Sequence, residues 1–277
     1  MLCDRITGMD YGEWLDLSTD KLLSQDINTA RLESLVLFEA TLKKDRAYIL
    51  AHPETELTNT QSNSLRKLLE RRLSGEPIAY ILAKKEFYGR EFIVTNDVLI
   101  PRPDSENMIE LLKKHTLKNS TLIILDVGTG SGCLAITTKL EKPKTKVYAC
   151  DVSMKALSIA EQNAKVLRAD VTFIKSNLFA NIPGKYEVIL ANLPYIPDNF
   201  DVSSDVKFEP ALALYSGADG LDLTINFFNQ VANILKSGGI VIMESLQIQH
   251  KKINQLAEAA GLKLIETKDL VQVYKLK

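Results

Sequence analysis

Cysteine and histidine are scarce in this 277-residue chain, with three of each. Cys3, Cys133 and Cys150 show neither C-x-x-C spacing nor the pattern of a disulfide framework, and His52, His115 and His250 stand singly. These absences exclude a stapled secreted scaffold and a Cys/His zinc site, so no metal is expected. A surplus of charge is also missing, with 34 basic residues against 35 acidic. A general nucleic-acid binder carries a basic excess, and stable nucleic-acid binding is therefore not expected. No apolar run is long enough to span a bilayer. Asp4, Arg5, Asp10 and Glu13 interrupt any leader-like stretch at the start. The expectation is no membrane association and a cytoplasmic location. What remains, 45% hydrophobic and 25% charged residues, is the composition of a globular chain with a sizeable core.

Two regions differ in pattern. Residues 10 to 82 read as four or five short helices, with stripes at helical spacing such as Leu32, Leu35, Val36, Glu39 and Ala40, apolar but for Glu39, and Leu65, Leu68, Leu69 and Leu73. Thr58 and Gln61 have the spacing of a capping box, and Gly75 suits a helix end. Pro77 suits the first turn of the next helix. Phe87-Tyr88 and Phe92-Ile93-Val94 flank the turn Gly89-Arg90, predicting a β-hairpin, and Pro101-Arg102-Pro103 closes that segment. From Asp104 onward strands and helices alternate. Strands are predicted over 122–126, 146–151, 171–175, 186–191 and 240–244, with helices over 134–140, 154–167 and 221–235. Alternation of this kind gives a parallel sheet covered on both faces. Lys263 to Lys277 holds apolar runs suited to a closing antiparallel pair.

The sharpest local signal is Ile123-Ile124-Leu125-Asp126-Val127-Gly128-Thr129-Gly130-Ser131-Gly132-Cys133. A buried strand enters a glycine-rich turn, and a helix leaves it. Glycine allows close approach to a ligand, and the helix start offers free N–H groups. Asp151 ends the next strand, where a carboxylate accepts from both ribose hydroxyls. A dinucleotide fingerprint needs a third glycine at position 133, which is Cys133, so that reading fails. The G-x-G-x-G spacing with Asp126 before it resembles motif I of the Rossmann-like methyltransferases, which implies S-adenosyl-L-methionine held by Gly128, Thr129, Gly130, Ser131, Gly132 and Asp151. In that fold the turn after the third strand borders the adenine. Asn177 is then placed at the adenine amino group and Leu178 over its face.

After the fourth strand comes Asn192-Leu193-Pro194-Tyr195. It resembles the N-P-P-Y motif of methyltransferases acting on a nitrogen in a planar conjugated group. An amide nitrogen is a poor nucleophile because its lone pair is delocalised. Its two N–H bonds can donate to the Asn192 side-chain oxygen and to a backbone carbonyl, which aims it at an incoming methyl; proximity then supplies much of the rate. Asn192 also borders the cofactor, Leu193 is expected to contribute only its carbonyl, and Tyr195 is expected to pack on the target group. On that view Leu193→Pro leaves activity unchanged or better. N-L-P-Y is also the form found in ribosomal RNA adenine dimethyltransferases, so the tetrapeptide leaves a nucleic-acid adenine methyltransferase open.

The strings Gly75-Glu76-Pro77-Ile78-Ala79-Tyr80, Phe87-Tyr88-Gly89, Val98-Leu99-Ile100-Pro101-Arg102-Pro103-Asp104-Ser105-Glu106 and Phe208-Glu209-Pro210, followed by Leu212, Ala213, Leu214 and Gly217 to Leu221, resemble the HemK/PrmC family. Its members are release factor glutamine methyltransferases. The resemblance runs from about Met9 to about Glu266. It implies an α/β fold, a Rossmann-like class I methyltransferase domain with a seven-stranded, mostly parallel sheet, over residues 104–277. It further implies a helical substrate-recognition domain over 1–82 and a β-hairpin linker over 83–103. The implied reaction is transfer of the methyl group of S-adenosyl-L-methionine to the glutamine side chain of the Gly-Gly-Gln loop, with class I peptide-chain release factors as partners. Substrate contacts fall to Asn192, Leu193, Pro194, Tyr195 and Arg102. Read without the family, Arg102 and Glu106 have the spacing of a surface ion pair. The end of the chain departs from the family pattern: Asp269 to Tyr274 is short and lacks an arginine, predicting a trimmed last hairpin.

Overall fold

The computed structural model describes residues 8–277; Cys3, Asp4 and Arg5 lie outside the described residues. The chain divides into two compact units. One runs to Ala83 and takes in Ser204–Phe208. The other comprises Lys84–Ser203 and Glu209–Lys277.

The first unit holds α1 (Tyr11–Leu23), α2 (Ala30–Leu42), α3 (Arg46–Ala51), α4 (Asn59–Leu73) and α5 (Ile78–Ile81). Asp10 with Glu13 and Thr58 with Gln61 both form full capping boxes, which fix where α1 and α4 begin. The core forms around Trp14, whose ring stacks on Phe38 with centroids 4.9 Å apart. That stack decides the buried face of α2. Leu35, Leu37 and Phe38 face inward, while Leu32 is exposed. The stripe read from spacing was rotated because Leu35 to Phe38 are all apolar, and such a run selects no face by itself. Arg72 is buried and satisfied by Glu33 at 2.6 Å and Asp205 at 3.1 and 3.2 Å.

The second unit begins with the hairpin β1 (Lys84–Phe87) and β2 (Arg90–Ile93). It is not a free linker. Phe87 and Phe92 are buried in the same cluster as Met108, Ile109 and Leu112 of α6 (Glu106–His115). Then follow β3 (Ile123–Val127), α7 (Cys133–Glu141), β4 (Lys146–Asp151), α8 (Met154–Leu167), β5 (Val171–Lys175), β6 (Tyr186–Ala191), α9 (Asp222–Ile234), β7 (Leu235–Glu244), α10 (His250–Ala259), β8 (Leu262–Lys268) and β9 (Val271–Leu276). The sheet order is β5-β4-β3-β6-β7-β9-β8. β3 to β7 run parallel, and β9 is antiparallel to both its neighbours.

Side chains alternate across this sheet with the period of two that strands impose. Leu125, Ile189, Ala191, Val241 and Met243 join Phe227 and Phe228 of α9 on one face. Ile124, Val188, Leu190, Ile240 and Ile242 join α6 on the other. Burial on both faces is why these strands read as continuous apolar runs.

Two boundaries differ from expectation. β7 starts at Leu235 rather than at Ile240, because Gly238-Gly239 form an irregularity within the strand and not a loop before it. Five residues of β7 there span two of β6. The last hairpin is not trimmed. β8 and β9 pair from Leu262↔Leu276 to Lys268↔Val271, and the short sequence suffices because only Asp269-Leu270, with Asp269 at φ +51, makes the turn.

Order reverses at β3, with β4 on one side and β6 on the other. In open α/β sheets, ligands sit outside the strand carboxyl ends at that switch. Gly128, Asp151, Asn192 and Glu244 all lie there, at or just beyond the ends of β3, β4, β6 and β7.

Candidate active site

The glycine loop is held from beneath. The N–H groups of Gly128 and Thr129 both donate to the Cys150 carbonyl at 2.9 Å. The Thr129 hydroxyl donates to Asp126 Oδ2 at 2.6 Å. Asp126 is buried with Oδ1 unpartnered, and burial pushes its carboxyl up to about 7. It therefore braces the loop from behind. Gly132, at φ +82, starts α7. A Cβ there would lie 2.9 Å from Ile136 Cδ1 and 3.1 Å from Ala160 Cβ, so this glycine admits close packing of α7 on α8. Asn163 of α8 adds a brace with no local sequence signal. It accepts from the Ile93 N–H at 2.7 Å and donates to the carbonyls of Ile93 and Ser131, each at 2.9 Å, tying hairpin, helix and loop together.

Above the loop lies a cavity of about 270 Å³. Gly128, Gly130, Asp151, Asn177, Leu178 and Asn192 line it; Thr129, Ser131 and Gly132 do not. The last three shape the loop. A Cβ on Gly130 would meet nothing within 4 Å, so the backbone there faces open space. Asp151 accepts from the Gly130 N–H at 3.0 Å through Oδ2 and from the Ser153 N–H at 2.9 Å through Oδ1. Burial raises this carboxyl, and those backbone N–H groups oppose the rise. Each oxygen keeps a lone pair for another donor. Leu178 is buried at φ +47, a conformation uncommon for a residue with a side chain, and Asn177 beside it is exposed. Asp97, Val98, Leu99, Leu212 and Ala213 also line it; the family strings contain the last four, without a role for any of them.

The four residues after β6 divide their tasks differently from expectation. The Asn192 side chain lines the cavity and donates through Nδ2 to Ser105 Oγ at 3.0 Å, leaving Oδ1 as an acceptor. Leu193 is not merely a carbonyl. Its side chain is 5% exposed, belongs to the core cluster and would meet a Cβ on Gly128 at 3.2 Å. Leu193→Pro thus removes core packing, and its expected neutrality does not follow. Truncation by Leu193→Ala is expected to lower the unfolding free energy by about 2–5 kcal/mol, as for other buried leucines. Denaturant unfolding reads this directly; a change below about 0.5 kcal/mol would mean the side chain packs nothing.

Pro194 lines the cavity, but Tyr195 and Arg102 do not. The Tyr195 hydroxyl donates to Glu244 Oε1 at 3.1 Å, and Gln249 Nε2 donates to the Tyr195 carbonyl at 2.8 Å. Burial, then the neighbouring Glu244 carboxyl, pushes the phenol well above its ordinary range. Gly220, at φ +76, lets the next loop close on this point. A Cβ there would sit 2.2 Å from the Tyr195 carbonyl oxygen, which accounts for the glycines read between 217 and 221. Arg102 pairs with the buried Glu209, whose other oxygen accepts from the Ile100 N–H at 3.0 Å. Its partner is therefore not Glu106, which takes the Tyr88 N–H at 2.8 Å. Glu209 thus holds Ile100 and Arg102 together. Ser105, Glu209, Glu244 and Gln249 escaped assignment in the sequence. The one signal for Glu244 was an acidic residue ending the apolar strand Ile240–Met243.

Residues 13–82 match the family described as PrmC N-terminal domain, and residues 104–207 match the Methyltransferase small domain. The chain is similar to the release factor glutamine methyltransferase of Coxiella burnetii, 39% identical over 251 residues, 88% of this chain and 91% of that protein. It is similar to the protein of the same name from Koribacter versatilis, 40% identical over 241 residues, 85% of this chain and 86% of that one. A solved methyltransferase structure from Pyrococcus furiosus shares the fold, with TM-score 0.53 and 16% identity over 77% of this chain and 98% of that one.

Proposed function

The chain belongs to the release factor glutamine methyltransferase family, and from that premise we propose that it methylates the side-chain amide nitrogen of the glutamine in the Gly-Gly-Gln loop of class I peptide-chain release factors. One observation carries the reading: an asparagine that lines a cavity at the sheet's switch point has its NH₂ group engaged by Ser105, which leaves its carbonyl oxygen free to accept.

The residues present fit S-adenosylmethionine. The Asp151 carboxylate has lone pairs left for two ribose hydroxyls, the open face of Gly130 admits backbone contact with a ligand, and Leu178 offers an apolar surface. When bound, this cofactor supplies an electrophilic methyl group on a sulfonium. Asn192 Oδ1 accepts one N–H of the target amide and the Leu193 carbonyl the other. These two bonds orient the nitrogen and bring it to attack distance, which is the main contribution asked of the protein. With the cofactor bound, the amide nitrogen would gain the methyl carbon as the carbon–sulfur bond breaks, and the proton of the alkylated nitrogen would be lost to solvent as the product leaves. A strong base is not required when alignment and exclusion of water dominate.

Every residue lining the cavity falls between positions 97 and 223. Residues 1–82 are therefore assigned to recognition of the release factor. A chain beginning at Lys84 is expected to keep its affinity for S-adenosylmethionine, which also verifies its folding, and to lose more than about tenfold in kcat/KM, about 1.4 kcal/mol of transition-state stabilisation. Full activity in that chain would remove the helical region from recognition. Among the described residues no helix is long and apolar enough to cross a membrane. A cytoplasmic location follows from the substrate, since release factors act on ribosomes there.

The test is intact-mass measurement of a recombinant class I release factor after incubation with the protein and S-adenosylmethionine. One added methyl is expected, and none on a release factor whose Gly-Gly-Gln glutamine is replaced. Label appearing in RNA instead would favour the adenine reading of Asn192-Leu193-Pro194-Tyr195.

A further inference from the structure

A side-chain amide can present either its oxygen or its NH₂ group, and the two ends have nearly the same shape. The proposed chemistry needs the oxygen of Asn192 in the cavity, because the target nitrogen brings N–H groups. Something must fix that choice. Ser105 does not do so alone, since its hydroxyl both donates and accepts. It accepts from Asn192 Nδ2 at 3.0 Å. With its proton pointed back at Asn192 it would hold the opposite orientation.

Glu244 breaks the symmetry. It ends β7 beside Asn192 and is 2% exposed. Its Oε1 takes the Tyr195 hydroxyl at 3.1 Å, while Oε2 has no aligned donor. The Ser105 hydroxyl lies near enough to hold the carboxyl down against burial, and Asn192 does the same more weakly. Ser105 is itself buried, and an ionised carboxylate can only accept. We propose that Glu244 is a positioning residue for methyl transfer: by taking the proton of Ser105 it sets the direction of a chain from Asn192 Nδ2 to Ser105 Oγ to Glu244 Oε2, which leaves Asn192 Oδ1 facing the substrate amide. This rests on the reading of Asn192 as the acceptor for that amide. A buried carboxylate oxygen is costly unless hydrogen-bonded, and the Ser105 hydroxyl is the donor that would satisfy Oε2.

Glu244→Gln is nearly isosteric and still accepts from Tyr195, but its NH₂ group can donate to Ser105 and so reverse the chain. A purely structural glutamate would be rescued by glutamine; a direction-setting one is not. Protonation has the same effect as the amide. The groups acting on this carboxyl are Asp104, which raises it, and Tyr195, Ser105 and Asn192, which lower it; burial is the larger influence and raises it. Cys133 feels its charge, and Arg102, which acts on Tyr195, is taken up by Glu209.

The experiment measures single-turnover methyl transfer to release factor for the parent, Glu244→Gln, Ser105→Ala and the double variant, with cofactor affinity and unfolding midpoint for each. The expected result is a loss of about ten- to a hundredfold in kcat for Glu244→Gln, the scale of one misaligned polar group, with cofactor affinity within about twofold. The double variant is expected to be no worse than the poorer single one, as for members of one chain. The parent's kcat should fall toward acid pH through a carboxyl titrating above the ordinary range, and Glu244→Gln should lack that limb. Parental kcat in Glu244→Gln, or additive losses, would overturn the inference while leaving the proposed function intact. If Glu244→Gln folds poorly, Ser105→Ala decides alone: parental kcat there breaks the chain. An inactive parent would refute the proposed function itself.

Discussion

Asn192→Ala is expected to reduce turnover on release factor by about a hundredfold or more, the effect of removing one preorganised hydrogen-bonding group from a transition state. The residue sits just beyond the end of β6 with its NH₂ group engaged by Ser105, and with Glu244 setting the direction of that bond its oxygen is oriented before substrate arrives. Alanine leaves the Leu193 carbonyl and the cavity floor in place. Affinity for S-adenosylmethionine should change little, and KM for the release factor should change less than kcat, because the lost bond matters most when the nitrogen is aligned. Steady-state kinetics on both substrates, with calorimetry for the cofactor, separate these quantities. A variant losing cofactor affinity in proportion to turnover would place Asn192 in the cofactor site instead.

Asp151→Ala is expected to produce the opposite split. Two hydrogen bonds to a charged acceptor are removed, each worth about 1.5–3 kcal/mol, so Kd for S-adenosylmethionine should rise by more than about a hundredfold. The same substitution frees the N–H groups of Gly130 and Ser153, which loosens the loop that the carboxylate now ties to β4. At saturating cofactor, kcat should recover most of its parental value. Isothermal calorimetry with unchanged affinity would show that Asp151 only braces the loop.

Much of this was legible in the residues. Strands buried on both faces write themselves as apolar runs, and a glycine loop between strand and helix marks the switch point whatever the ligand. Capping at Thr58 and Gln61 was readable because the partners are three residues apart. Long-range pairings were not. Arg102 and Glu209 are 107 positions apart, and nothing local joins them. Leu193 looked like a spacer because its sequence neighbours are motif residues, whereas its contact is with Gly128 across the sheet edge. The place of Tyr195 in the Asn192–Tyr195 motif points to packing on the target group; its hydroxyl contact with Glu244 depends on β6 and β7 being adjacent. The stripe on α2 failed for a related reason, since a four-residue apolar run leaves the choice of face to the ring of Trp14. Periodicity reports which residues avoid water, and only the packed neighbours report what each one touches.

The measurement that bears most directly on the proposed activity is fragment-ion mapping of the release factor after reaction with S-adenosylmethionine. The release factor is digested, and the Gly-Gly-Gln peptide is fragmented to place the added mass. A single methyl group is expected on the glutamine side-chain nitrogen, formed about a hundredfold more slowly when Asn192→Ala replaces the parent at equal concentration. A methyl group on any other residue of the release factor, or an unmodified release factor beside methylated adenine in RNA, would contradict it.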